Sequence, residues 1–243
     1  MSKPLENRIA LVTGASRGIG RAAAIALARA GAHVICVART VGGLEETDDE
    51  IRKAGGSATL VPFNLKDFAA IDRLGASIFE RWGRVDAFFG NAGVLGMLTP
   101  LAQLDPKVFQ ELLDINITAN WRLVRSLDPL LRASDAGRAL FVTSGAARKH
   151  TPFWGGYAMS KAALESIALT YAAECEATNI RVNLLNPGPM RTLMRAKAMP
   201  GEDPSTLPRP EDLAPLIVEM LSPGYAQSGT TVSFQKPAAQ PGS

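Results

Sequence analysis

The chain has 243 residues, 26 Lys and Arg against 23 Asp and Glu, and a formal net charge of +3, a field too weak and too evenly spread for a nucleic-acid partner. Apolar residues make up 47%, and with only Cys36 and Cys175 as cysteines a disulfide framework or a Cys-rich zinc module is excluded. No run approaches the roughly 18 apolar residues of a membrane-spanning helix, and a chain this long buries roughly 70–75% of its unfolded surface without needing a metal staple.

The N-terminus, Met1 to Arg8, lacks the apolar stretch and small-residue cleavage site of a signal peptide, which predicts a cytoplasmic protein. Apolar, β-rich runs follow at Arg8–Thr13, His33–Ala38, Ala58–Phe63, Val85–Gly90, Arg138–Ser144, Ile180–Leu185 and Gly229–Phe234. They are nearly continuous in Val, Ile, Leu, Phe and Ala, as strands covered on both faces are. Between them lie helical patterns at Gly18–Ala30, Thr40–Ala54, Phe68–Trp82, Pro106–Ala133, Tyr157–Thr178 and Pro210–Leu221. Gly31 and Gly55-Gly56 supply stops after the first two. The alternation predicts an α/β fold: a single doubly wound domain over residues 1–243, its parallel sheet flanked by helices on both faces. Met199–Pro210 reads as a loop, and the tail 236–243 is expected to fray.

The first strand ends in Thr13-Gly14-Ala15-Ser16-Arg17-Gly18-Ile19-Gly20, directly before a helix. Gly14 permits a tight turn, Gly18 lets backbone N–H groups approach a pyrophosphate, and Gly20 lets the helix pack close to the strand. The helix N-terminus then offers unpaired donors and partial positive charge to phosphate. The second strand ends in Ala38-Arg39-Thr40, without the acid that would bind the adenosine ribose hydroxyls and repel a 2′-phosphate. Arg39 and Arg17 together suit that phosphate, so NADP(H) is favoured over NAD(H).

Further on, Ser144 closes the fifth strand, and Tyr157 and Lys161 follow, four residues apart on one helix face. A phenol with an ordinary pKa near 10 is a poor base at neutral pH. A nearby ammonium would lower it, by up to about three units at about 4 Å and an effective dielectric near 20. A Ser hydroxyl at the strand end could hold a substrate oxygen against the phenol.

Thr13–Gly20, Asn91-Ala92-Gly93, Asn116, Ser144, Tyr157, Lys161 and Pro187-Gly188 stand in an order and spacing that resembles the short-chain dehydrogenase/reductase family, over residues 5–235. The resemblance implies a Rossmann-like, seven-stranded sheet ordered 3-2-1-4-5-6-7 and hydride transfer between NAD(P)(H) and a carbonyl or alcohol. It implies that Tyr157 is the acid/base and that Lys161 acts on the nicotinamide ribose and on the phenol. Ser144 would position substrate, and Asn116 would hold a water that relays protons. The implied cofactor-binding residues are Gly14, Ser16, Arg17, Gly18, Ile19, Gly20, Arg39, Thr40, Asn64, Leu65, Asn91, Ala92, Gly93, Tyr157, Lys161, Pro187, Gly188 and Thr192; His33 and His150 show no metal spacing, and no metal site is expected.

Asn64 stands where the family usually has an Asp against adenine; its amide oxygen could still accept from the adenine amino group. The segment from Thr192 to Pro210 is short for a substrate lid, which suggests an open or partner-completed pocket. Leu95, Met97, Ala146, Phe153, Trp154, Met190 and Leu193 suggest an apolar pocket. Arg148, Lys149 and His150 form a positive rim that would suit an anionic or carrier-bound acyl substrate, as in 3-oxoacyl-carrier reductases, or are plain surface charge. The wide apolar faces of Pro106–Ala133 and Tyr157–Thr178 predict a homodimer or homotetramer. The expected activity is reduction of a small carbonyl or oxidation of its alcohol; the alternative is a cofactor-binding regulator or scaffold with little chemistry.

Overall fold

The computed structural model describes residues 3–235; the tail 236–243 lies outside them. Seven parallel strands are ordered β3-β2-β1-β4-β5-β6-β7. They are β1 (Ile9–Thr13), β2 (His33–Ala38), β3 (Ser57–Pro62), β4 (Ala87–Gly90), β5 (Arg138–Val142), β6 (Arg181–Asn186) and β7 (Thr231–Ser233). β1 pairs with β2 through Leu11 opposite Ile35, and with β4 through Leu11 opposite Phe88. The strand order therefore reverses between β1 and β4, and the crevice at their C-terminal ends is where such sheets take ligands.

Successive strand residues point to opposite faces, and both faces are apolar, so each needs a helical cover. On one face Leu11, Ile35, Phe88 and Phe141 pack with α3 (Phe68–Trp82), α5 (Ala119–Arg132) and α7 (Gly155–Glu174), through Ile71, Leu74, Leu123, Leu127 and Leu164. On the other, Val12, Val34, Phe89 and Leu140 pack with α1 (Gly18–Arg29), α2 (Val41–Lys53) and α9 (Pro210–Leu221), through Leu27, Leu44, Ile51, Leu213 and Ile217. The doubly wound, Rossmann-like architecture is as expected.

Most strand and helix ends differ from the expected bounds by one or more residues, and four differences bear on the site. Pro106–Ala133 is not one helix: α4 (Pro106–Leu112) passes through a π-helical segment, Leu113–Thr118, into α5. The wider turn is held by Asn120, whose Nδ2 donates to the carbonyls of Ile115 at 3.3 Å and Asn116 at 3.0 Å. β5 stops at Val142, because Thr143 and Ser144 turn into a short helix, α6 (Ala146–Lys149). α7 begins at Gly155, two residues before Tyr157. A further short helix, α8 (Leu193–Ala198), follows Thr192, whose Oγ1 accepts from the Arg195 N–H at 3.2 Å. Helices this short carry too little periodicity to read from sequence.

Candidate active site

The glycine turn joins β1 to α1 at the rim of the crevice. Gly14 has φ +68°, and a Cβ there would lie 2.8 Å from Asn91 Nδ2; a Cβ on Gly20 would lie 2.2 Å from the Gly14 carbonyl oxygen. Only glycine fits at either position. Arg17 is the extended N-cap of α1 and makes no capping bond, and the first turn contains no acid. Its N–H groups and the helix dipole are therefore left to an external anion, and the cradle fits a dinucleotide pyrophosphate. Ser16 backs onto Gly43 of α2, and Ile19 packs against the α1–α2–α9 core layer.

Asn91-Ala92-Gly93 is pinned beside this turn. Thr13 Oγ1 accepts from the N–H groups of Asn91 and Ala92, each at 3.1 Å, and Asn91 Nδ2 donates to the Thr13 carbonyl at 2.9 Å. Sequence reasoning did not single out Thr13 for this. Arg17, Arg39 and Thr40 are exposed, and neither arginine has a carboxylate partner among the described residues. Leu65 is buried in the core, so only its backbone can face a ligand. Asn64 Oδ1 already accepts from the Lys66 N–H at 3.1 Å. Pro187 is buried and Gly188 exposed. Thr192 comes within 3.5 Å of where a Gly18 Cβ would stand, so the loop after β6 closes onto the glycine turn.

Ser144, Tyr157 and Lys161 meet at the C-terminal end of β5. Tyr157 is buried, and burial pushes its phenol up to about 12, while the adjacent Ser144 hydroxyl pulls it back down. Lys161 is buried too, and desolvation pushes its amine down to about 8. Its Nζ donates to the Val142 carbonyl at 2.8 Å and stands 5.9 Å from the centre of the Tyr157 ring. The expected lowering of the phenol is thus not achieved by this pair alone. Removal from water outweighs the Ser144 hydroxyl, the group that lowers it.

Asn116 sits in the π-helical segment, fully buried. Its Oδ1 accepts from the Val94 N–H at 2.8 Å, and its Nδ2 donates to the Val94 carbonyl and to Ser160 Oγ, each at 2.9 Å. A Cβ on Gly93 would lie 3.2 Å from Asn116 Oδ1 and 3.5 Å from Lys161 Nζ, so the loop after β4 runs close to both. The Asn116 side chain holds this loop with every polar atom it has.

Trp154 stacks edge-on at 6.1 Å from Tyr157, and Met97, Leu101, Phe153 and Leu193 are exposed. Met190 does not line the site; it is buried among the α9 core residues. The turn before Tyr157 has two non-glycine residues in the left-handed region, His150 (φ 47°) and Phe153 (φ 72°). Phe153 is held there by its carbonyl, which accepts from the Thr99 N–H at 3.0 Å. Glu165, four residues past Lys161, is a buried carboxylate on the same helix face, and sequence reasoning passed over it. A groove of about 340 Å³ between β3 and α3, bounded by Thr59, Val61, Arg73 and Trp82, contains none of these groups.

A doubly wound parallel sheet with a glycine cradle at its switch point, and beside it a half-buried Ser144 with a buried Tyr157 and Lys161, defines a dinucleotide-binding oxidoreductase architecture. The family model "short chain dehydrogenase" matches residues 8–203, and the chain belongs to that family. It is 37% identical over 242 residues to the oxidoreductase YciK of Escherichia coli K12, covering 98% of this chain and 95% of that protein. A short chain dehydrogenase of Shigella flexneri 2a, solved with NADP, superposes with a TM-score of 0.92 at 37% identity, covering 96% of this chain and 99% of that one. One from Escherichia coli CFT073, solved with NADPH, gives 0.91 at 37% identity, covering 96% and 98%.

Proposed function

We propose that this protein transfers hydride between NADP(H) and a carbonyl or secondary alcohol, with Tyr157 as general acid/base. The observation that carries the reading is the burial of Tyr157 between Ser144 and Lys161 on the same rim as the glycine cradle. The bound dinucleotide supplies the hydride. Gly14, Gly18, Gly20 and the first turn of α1 would hold its pyrophosphate, with Ser16, Ile19, Asn91, Ala92 and Gly93 lining the approach. Arg17, Arg39 and Thr40 would take the 2′-phosphate, and the NADP and NADPH complexes of two structural neighbours favour this over NAD(H). Asn64 and Leu65 would border adenine; Pro187, Gly188 and Thr192 would border the nicotinamide.

Ser144 Oγ accepts from the Ala146 N–H at 3.2 Å, which leaves its own proton to donate to the substrate oxygen. Tyr157, protonated at neutral pH, donates to that oxygen in reduction and takes the proton back in oxidation. Lys161, held by Val142, places positive charge beside the phenol as it loses its proton. Asn116 acts through the loop it holds, keeping Gly93 against Lys161. The reading includes a homodimer or larger assembly and a cytoplasmic location.

The test follows NADPH absorbance against ketones, acyl thioesters, quinones and sugars, in the parent and in Tyr157→Phe. Turnover in the parent that Tyr157→Phe abolishes, with NADPH still bound, is expected. A parent inert across the whole panel would overturn the reading in favour of a scaffold.

A further inference from the structure

We propose that Glu165 is a positioning residue that sets Ser144 against Tyr157. The inference rests on the catalytic reading above and extends it to a residue outside the Ser–Tyr–Lys set. Glu165 is 9% exposed, a carboxylate on a helix face otherwise turned to the core, and such a group persists only when its oxygens are satisfied. Its Oε1 accepts from Thr143 Oγ1 at 2.8 Å, and its Oε2 accepts from Arg148 Nε at 3.1 Å. Thr143 immediately precedes Ser144 and Arg148 lies four residues after it, so one carboxylate grips the serine turn on both sides.

The grip has a direction. Tyr157, Lys161 and Glu165 are spaced by four residues along α7 and share a face. Lys161 reaches back to the Val142 carbonyl and Glu165 to Thr143, so consecutive residues of the β5 end are tied to the helix that carries the phenol. Arg148 extends the tie outward, donating to Thr231 Oγ1 of β7 at 3.2 Å. Within the turn, the Ala146 N–H bonds Ser144 Oγ and the Ala147 N–H bonds the Ser144 carbonyl. A serine so placed cannot move relative to Tyr157 without breaking the Glu165 bonds. The same pairing accounts for Arg148, which is a strut as well as a surface cation.

Steady-state reduction with NADPH, and amide hydrogen exchange over residues 143–149, should be measured in the parent, Glu165→Ala, Glu165→Gln, Thr143→Val and Thr143→Ser. Glu165→Ala and Thr143→Val are expected to lower kcat at least tenfold with KM for NADPH within twofold. Both should speed exchange at Ala146 and Ala147 while leaving α1 protected. Glu165→Gln keeps an acceptor for Thr143 but sets its NH₂ against Arg148, and should fall between. Thr143→Ser, which retains the hydroxyl, should restore kcat. Parental kcat and parental exchange in Glu165→Ala would overturn the proposal, as would a kcat loss matched by equal loss of protection throughout the fold. If the parent reduces no carbonyl at all, the catalytic reading fails, and the exchange of the serine turn alone decides the role of Glu165.

Discussion

Burial acts on Tyr157 and Lys161 in the same sense, against charge, and moves their pKa values in opposite directions: the phenol up to about 12, the amine down to about 8. For Lys161 this is a stability statement. The folded value lies below the ordinary 10.5, so the unfolded chain binds more protons between pH 8 and 10.5. Stability therefore rises with pH through that window, and the cost of the buried ammonium is fully present below it. A shift of this size corresponds to about 3 kcal/mol, and the lost Val142 bond offsets about 1. Lys161→Met should then raise the melting temperature at pH 7 by about 5 °C, with the advantage gone near pH 10.5, while reduction is lost. Scanning calorimetry at the two pH values checks this; equal melting temperatures at pH 7 would count against the buried cation. Tyr157→Phe should cost about 10³-fold in kcat, the scale of a general acid, with NADPH affinity unchanged by fluorescence titration. Arg39→Ala should weaken NADPH by about tenfold or more, the scale of a charge-assisted phosphate contact, and leave NADH nearly unaffected. A parallel loss of both would show that Arg39 does not read the phosphate.

At the level of elements, the bend between α4 and α5 is functional geometry made from ordinary hydrogen bonds. The π-helical segment turns Asn116 inward, where its carboxamide satisfies both polar groups of Val94, 22 residues away. Asn116→Ala would strand two backbone groups of a part-buried loop. Each costs about 1–3 kcal/mol when left unpaired, so a loss of about 3 kcal/mol in urea unfolding is expected. Asn116→Asp, which keeps the acceptor for the Val94 N–H but sets a buried carboxylate oxygen against the Val94 carbonyl, should lose at least as much. The glycine turn follows the same logic with tighter tolerance. A Cβ on Gly20 would overlap the Gly14 carbonyl at 2.2 Å, so α1 would have to move away from β1. Gly20→Ala should abolish nucleotide binding, and a thermal shift by NADPH equal to the parent's would contradict the cradle.

For the molecule as a whole, Phe109 on α4, Trp121 on α5 and Leu169 on α7 are exposed apolar residues on the outer helices of one layer. Light scattering should give a dimer or larger species at micromolar concentration, and Trp121→Glu should shift it toward the monomer. A monomeric parent would remove that expectation. The sheet behind these helices was legible in the chain. Its strands are apolar on both faces, and an apolar run such as Val34–Val37 has no stable place except between two covers. The glycine turn was legible for a related reason, since the demands of a strand, a turn and a helix start fall on adjacent residues. The Tyr157–Lys161 spacing is equally local. What spacing could not supply is how distant segments share a partner. The Pro106–Ala133 pattern is helical throughout, but its π-helical break is held by Asn120 and sets Asn116 against Val94, a residue of a distant loop. Thr143 and Arg148, on either side of Ser144, both bond Glu165, a residue that looks in the chain like any charge on a helix. The direction of the Tyr157 shift was likewise out of reach, because it depends on how much water the completed core excludes, and that is a property of every covering element at once.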